Sequence, residues 1–217
     1  MTTFPNSPKL LKAGIVLVDV ETSRMQRVIS LQYNPDSLTR RLQVQGTGEG
    51  GERSEALRLK GPAAETITLE AEIDATDQLE FPERNPNAVQ FGIHPQLALL
   101  ETLVHPRSED LQANNTMAGE GTIEILPTES LLTLFVWSAQ RILPVRITEF
   151  SITEEAFDPS LNPIRAKVSL GMRVLSVDDV GFTHRAGQLY MGYLRNKESL
   201  AGRSPFGTLT DLGLTRL

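Results

Sequence analysis

Few side chains in this sequence are suited to acid/base or metal chemistry. There are three histidines, His94, His105 and His184, and no cysteine. His94 and His105 stand 105 − 94 = 11 residues apart around a helical segment, about three turns at ~3.6 residues per turn. That places them on one side but too far apart to share a metal ion, and no HExxH spacing occurs. Histidines at helix ends serve as caps or surface groups. Glu70, Glu72 and Asp74 lie on one face of a strand-like run, with about 7 Å between neighbours. Paired carboxylates at such separations can do the work of a glycosidase. A row of acids opposite an apolar row is also what any half-exposed strand presents. Asp74, Asp77 and Glu80 supply oxygen ligands without EF-hand spacing. The glycines of GTGEGG at 46–51 lack the Lys-Ser/Thr of a P-loop, and no GxSxG elbow or Rossmann fingerprint is present. The expectation is a protein without catalytic residues, cofactor or metal.

The elements that would carry such groups are mostly strands. GIVLVD at 14–19 and MQRVISL at 25–31 read as two strands joined by a tight turn. After the break at Asn34-Pro35, Leu38, Arg40, Leu42 and Val44 alternate with Thr39, Arg41 and Gln43, so one arginine must share a face with leucines. In ETITLEAEID, Ile67, Leu69, Ala71 and Ile73 form an apolar face opposite Thr66, Thr68, Glu70, Glu72 and Asp74. Pro95 suits a first helical turn, and Leu97, Leu100, Leu103 and Val104 follow at helical spacing before Pro106. Three further strands are expected over 131–137, 143–152 and 166–175. The last two are separated by the turn pairs Asp158-Pro159 and Asn162-Pro163 and so run antiparallel. Residues 45–62 and 112–121 read as loops rich in small polar residues. Leu189, Tyr193 and Leu200 mark a C-terminal helix.

Composition narrows the class. The 217 residues fit one β-rich α+β domain with appendages, divided here as a β domain over 1–180 and a C-terminal helix and tail over 181–217. Absence of cysteine removes disulfides and thiolate chemistry. A net charge of −6 opposes nonspecific nucleic-acid binding. No basic region followed by an apolar core opens the chain, and no run is long enough to cross a bilayer, so assembly in the cytoplasm is expected.

Four stretches, taken in order, carry a resemblance. VISLQYNPDSLTRRL, GPAAETITLEAEIDATD, NPNAVQFGIHPQLALLETLVHP and PVRITEFSITEEAFDPSLNPIRAKVSLGMRVLS cover most of 13–176. The first resembles the N-terminal signature of the tube and tube-initiator (hub adaptor) family of contractile injection systems: an apolar strand runs into Phe or Tyr, then Asn-Pro and a polar restart. The other three resemble the same family. The resemblance implies a two-sheet β-barrel or sandwich of phage-tail-tube type with one internal helix and a C-terminal helix. It implies no enzyme but a structural protein: a hexameric ring in the baseplate, linking a trimeric spike hub on one side to the next tube ring on the other. Baseplate wedge or sheath proteins are further implied neighbours, without nucleic acid or membrane insertion. The implied setting is a phage-tail-like particle built in a bacterial cytoplasm and able to be released. Longer relatives carry a LysM module, for which this chain lacks room after its last helix, so it matches the short form.

On this reading Tyr33, Asn34, Pro35, Arg40, Arg41, Arg53 and Arg58 are candidates for subunit contacts, and Glu70, Glu72 and Asp74 for lining a lumen. The alternatives are a main inner tube subunit of the same machine and, in another class, a monomeric carbohydrate-binding or hydrolase domain using the acidic face.

Overall fold

A computed structural model describes residues 11–46, 58–119, 131–205 and 207–216. Seven strands form one antiparallel sheet: β1 Gly14–Val18, β2 Met25–Ser30, β3 Leu38–Gln43, β4 Ala64–Asp74, β5 Leu132–Ser138, β6 Arg141–Phe157 and β7 Pro163–Val174. Their order is β2-β1-β5-β6-β7-β4-β3. The protein is thus α+β and β-rich. In place of the expected two-sheet barrel or sandwich, the described strands form one sheet that curls. Its curvature is visible in the core, where Ile15 and Ile29 from one end of the order pack in a single cluster with Ile67, Leu69, Val168 and Leu170 from the other.

Alternation decides which face goes inward. On β4, residues 65, 67, 69, 71 and 73 are buried while the residues between them are exposed or partly exposed. Leu170 and Met172 of β7 pair with Leu69 and Ile67 and continue the same face. The β6–β7 hairpin is longer than the apolar runs suggest, because Asp158 closes it tightly. Its Oδ1 accepts from Ser160 N at 2.7 Å and Asn162 N at 2.8 Å, and Oδ2 accepts from the Asn162 amide at 2.8 Å. Local bonds of this kind hold a turn that strand propensity alone does not predict.

The helical segment over 86–101 is broken in two. α1 Thr76–Leu79 precedes α2 Pro86–Phe91 and α3 His94–Glu101. Between α2 and α3, Gly92 takes φ +57°, and a Cβ there would lie 2.2 Å from the Pro163 carbonyl oxygen. Only glycine meets both demands at low cost. Ile93 N then donates to that oxygen at 2.9 Å, and Leu97 and Leu100 of α3 close the core.

Two expectations are corrected. Residues 112–121 were expected as a loop, but α4 Ser108–Gly119 is helical and presents no buried residue. It starts with Glu109 and Asp110 in its first turn, where acids favour the positive end of the helix dipole, and it buries no face that could have produced a periodic pattern. After α5 Val177–Val180, helix α6 Arg185–Ala201 buries Ala186, Gly187, Tyr190 and Tyr193. Leu200, expected on the buried stripe, is 51 % exposed. The helix approaches so closely at Gly187 that a Cβ would sit 2.0 Å from the Gly181 carbonyl oxygen, which fixes the buried stripe on that side. No described helix is long and apolar enough to cross a membrane.

Candidate functional site

The corner at Gln32–Pro35 is the first place where polar chemistry concentrates. Asn34 Oδ1 accepts from Ala13 N at 2.9 Å, and its Nδ2 donates to the Leu11 carbonyl at 2.8 Å. Its amide thus behaves as a strand partner for the segment entering β1. Gln32 does the same at the end of β4: Nε2 donates to the Asp74 carbonyl at 2.6 Å and Oε1 accepts from Asp74 N at 3.0 Å. Two side-chain amides complete backbone pairing where the chain turns away, which meets the cost of leaving such groups unpaired. Pro35 has no N–H to offer and biases Asn34 away from helix. Tyr33 stands exposed beside them.

A buried charge hub lies at the opposite end of β4. The β3–β4 register sets Arg40 opposite Ile67 and Leu42 opposite Glu65, so Arg40 is the arginine that shares the core face, while Arg41 faces out. Glu65 is only 3 % exposed. Arg40 pairs with its Oε1 at 2.6 Å, Lys197 with its Oε2 at 3.1 Å, and the Tyr193 hydroxyl donates to it at 3.3 Å. Arg40 also donates to the Tyr193 oxygen at 2.8 Å, and Lys197 lies 4.2 Å from the Tyr193 ring centroid, a cation–π distance. Burial pushes the Glu65 carboxyl up, but the hydrogen bonds and charges of Arg40 and Lys197 outweigh it and hold the group below its ordinary value. Glu65 is absent from the sequence-based expectation, although its phase with Ile67 marks it as inward-facing. The hub joins β3, β4 and α6.

The sheet's outer face collects the remaining charges. Glu70, Glu72 and Asp74 pair in register with Ser169, Lys167 and Arg165 of β7. Glu155 of β6 bridges Arg165 and Lys167, each at 3.4 Å. The acids therefore share their face with cations, and the face is mixed rather than acidic. Arg41 and Arg58 are exposed, and Arg53 lies outside the described residues.

Concave sites are modest. A cleft of about 290 Å³ runs past Gln78, Arg84, Asn85 and Gln96, and a cavity of about 90 Å³ lies between Leu31, Ile73 and Leu100. Neither brings a histidine or a pair of carboxylates to one point. Among the described residues no group of three His, Asp or Glu is arranged to hold a metal ion. His184 caps α6, its Nδ1 accepting from Ala186 N at 3.1 Å.

The strand edges remain. β2 and β3 flank the sheet, one side of each unpaired among the described residues, and beyond Val145 no described strand pairs with the β5-facing side of β6. On β2, Met25 is 72 % and Val28 60 % exposed, and Leu42 and Val44 are exposed at β3.

No protein-family model matches the chain, and no curated protein matches it. Among solved structures, it is similar to a chain of the "Tail of empty GTA particle computed with helical refinement, C6 symmetry". The two are 10 % identical, the match covers 75 % of this chain and 90 % of that one, and the TM-score is 0.28. At that score the overlap carries no argument.

Proposed function

We propose that the chain is a structural subunit that assembles with copies of itself through its strand edges, as a hexameric tube initiator or hub-to-tube adaptor of a phage-tail-like contractile particle. The observation that carries the reading is the pair of edges on one sheet, β2 at one flank and β3 at the other, whose outer sides pair with no other strand among the described residues and which both carry exposed apolar side chains. Open edges on an isolated domain invite pairing with another chain, and proteins that remain monomeric blunt them. A contact between two different edges is heterologous, and it closes into a ring when its rotation does. Joined this way, curled sheets make a continuous barrel. The four-stretch resemblance supplies the machine, the spike hub and the tube as the neighbours. In the assembled ring Glu70, Glu72 and Asp74, with Lys167 and Arg165, line the lumen.

Negative-stain imaging and mass measurement of the purified protein, alone and in the intact particle, test the reading. The expected result is annular particles of six copies and one such ring at the spike-proximal end of the tube. A chain distributed along the whole tube makes it the main tube subunit instead, and a chain absent from the axial stack ends the proposal.

A further inference from the structure

The segment that enters the sheet travels with the strand that leads into β3. Pairing of β1 with β2 runs one step past both strands, Leu31 N donating to the Ala13 carbonyl at 2.9 Å. Asn34 then holds Ala13 N and the Leu11 carbonyl. The backbone at 11–13 thus accompanies the strand that turns the corner and, 38 − 34 = 4 residues after Asn34, becomes β3. Its sense is opposite to that strand, as β1 is antiparallel to β2. A segment that keeps this course before Leu11 runs antiparallel along β3.

Backbone groups alternate sides along a strand, and two bonds fix the phase of β3. The ladder with β4 runs on to a bridge between Gly46 and Leu59, where the Gln45 carbonyl accepts from Lys60 N at 2.9 Å. Odd-numbered residues of β3 therefore point toward β4. Asp74 agrees from the facing strand: its N–H and C=O reach Gln32, away from β7, so Thr66 and Thr68 turn theirs toward Arg41 and Thr39. Leu38, Arg40 and Leu42 then direct N–H and C=O to the other side, where no strand among the described residues pairs. That open side continues the β1 side of β2. Leu31, in the core, sends its N–H to β1, and Leu38, packed against the same core, sends its own to the open side. For L-residues facing one core along one chain direction, the same phase means the same flank.

The residues before Leu11, MTTFPNSPKL, lie outside the described residues, and their order suits this flank. The Leu11 carbonyl and Ala13 N face the corner strand, so the same phase takes in Lys9, Ser7 and Pro5 and turns Leu10, Pro8 and Asn6 outward. Pro8 has no N–H to give, and outward none is required. Pro5 is the first residue of the inward phase without one, which sets the limit of pairing at Asn6. Residues 6–10 extend about 17 Å, against about 20 Å for the six residues of β3.

We propose that residues 6–10 of the unassembled chain add an antiparallel strand to the open side of its own β3, shield that edge, and are displaced when the edge of another copy takes their place. The proposal rests on the assembly reading for the displacing copy; the shielded state of the free chain is what it adds. The chain's own segment is the occupant because Asn34 tethers it beside β3, at an effective concentration on the order of millimolar. A second copy at micromolar concentration competes poorly until it brings further contacts. With Pro8 facing outward, the new flank has a gap in its row of donors, one of the ways in which monomeric sheets refuse another strand.

Amide hydrogen exchange read by NMR, with sedimentation alongside, tests the shield in the full chain, in a chain lacking residues 1–10 and in two proline variants. Ser7→Pro removes a donor from the phase that faces β3, and Asn6→Pro removes one from the phase that faces away. Circular dichroism checks the fold of each. In the full chain at a concentration where it is monomeric, the amides of Leu38, Arg40 and Leu42 should be protected. Truncation and Ser7→Pro should each speed their exchange by about tenfold or more, while Thr39 and Arg41, bonded to β4, and all amides of β3 in Asn6→Pro stay as they were. The truncated chain should also associate at about tenfold lower concentration than the full one. Fast exchange at Leu38, Arg40 and Leu42 in the full chain, unchanged exchange on truncation, or equal loss from both proline variants overturns the proposal. So does protection that rises with protein concentration, which assigns the edge to a second copy. Rings formed by a chain whose free form leaves these amides unprotected end this proposal alone. Protection by residues 1–10 in a chain that never assembles keeps the shield and ends the assembly reading.

Discussion

Glu65 and Glu155 are the same side chain in the same role, each holding two cations, and they sit on opposite faces of one sheet. Glu65 meets Arg40 at 2.6 Å and Lys197 at 3.1 Å with 3 % of its side chain exposed; Glu155 meets Arg165 and Lys167 at 3.4 Å with 33 % exposed. Inside, the partners replace hydration that the carboxylate has lost, so the geometry must be good and the elements that carry it are fixed. Outside, water competes with every bond and the pairs can part at little cost. The inner glutamate is therefore a fastener of β3, β4 and α6, and the outer charges are free to answer to a neighbouring molecule.

Removing the inner carboxylate should have the largest effect. Glu65→Ala leaves Arg40 and Lys197 facing each other across the Tyr193 ring without their anion, and the cost of breaking a buried pair is about 3–5 kcal/mol. Because Arg40 and Lys197 are 25 % and 34 % exposed and can turn toward water, the lower end of that range is expected. Urea denaturation measures it; a loss below about 1 kcal/mol would erase the contrast between the two faces. Hydrogen exchange should report opening of α6 along with the first residues of β4.

Acid should weaken the same fastener, and the sign follows from the direction of the shift. The folded-state pKa of Glu65 is held below its ordinary value, so its contribution is fully present above the unfolded carboxyl pKa of about 4.3 and is lost as pH falls through the folded value. Asp19, Asp158 and Asp211 are also lowered, by backbone and side-chain hydrogen bonds in their turns, and add to the same acid limb. Comparing wild type with Glu65→Gln isolates the hub. The stability difference should be constant from pH 7 to pH 5 and shrink below about pH 4. A difference that stayed constant through the acid range would mean that ionisation of Glu65 does not hold the hub.

Much of the fold is legible from residue order, and the hub shows why the rest is not. β4 and β7 announce themselves because one face is buried along their whole length, so Ile67, Leu69, Ala71 and Ile73 alternate without interruption. The same phase includes Glu65, yet a charged residue at the end of an apolar row reads as the strand's exit until its partners are known. Two of those partners, Tyr193 and Lys197, are 193 − 65 = 128 and 197 − 65 = 132 residues away. Likewise, alternation says that one of Arg40 and Arg41 faces inward, but pairing with β4 decides that it is Arg40. Helix α4 is silent for the opposite reason: it buries nothing, so it leaves no period to read. The corner at Asn34-Pro35 is legible as a break in a strand, whereas the use of Asn34 and Gln32 amides as backbone partners depends on Leu11, Ala13 and Asp74 arriving beside them.

The smallest effect belongs to the outer glutamate, and its smallness is informative. Glu155→Gln keeps the shape of the side chain and removes the charge between Arg165 and Lys167. Both cations remain in water, 44 % and 45 % exposed, and each keeps a β4 carboxylate across the strand pair, Asp74 for Arg165 and Glu72 for Lys167. An exposed pair contributes about 0–1 kcal/mol, and the two bonds here are long, so the isolated protein should lose less than about 0.5 kcal/mol and the loss should vanish in high salt. A variant that lowered monomer stability as much as Glu65→Ala would place Glu155 among the fasteners, and the division between an inner face that holds the fold and an outer face whose charges stay in water would fail at its simplest point.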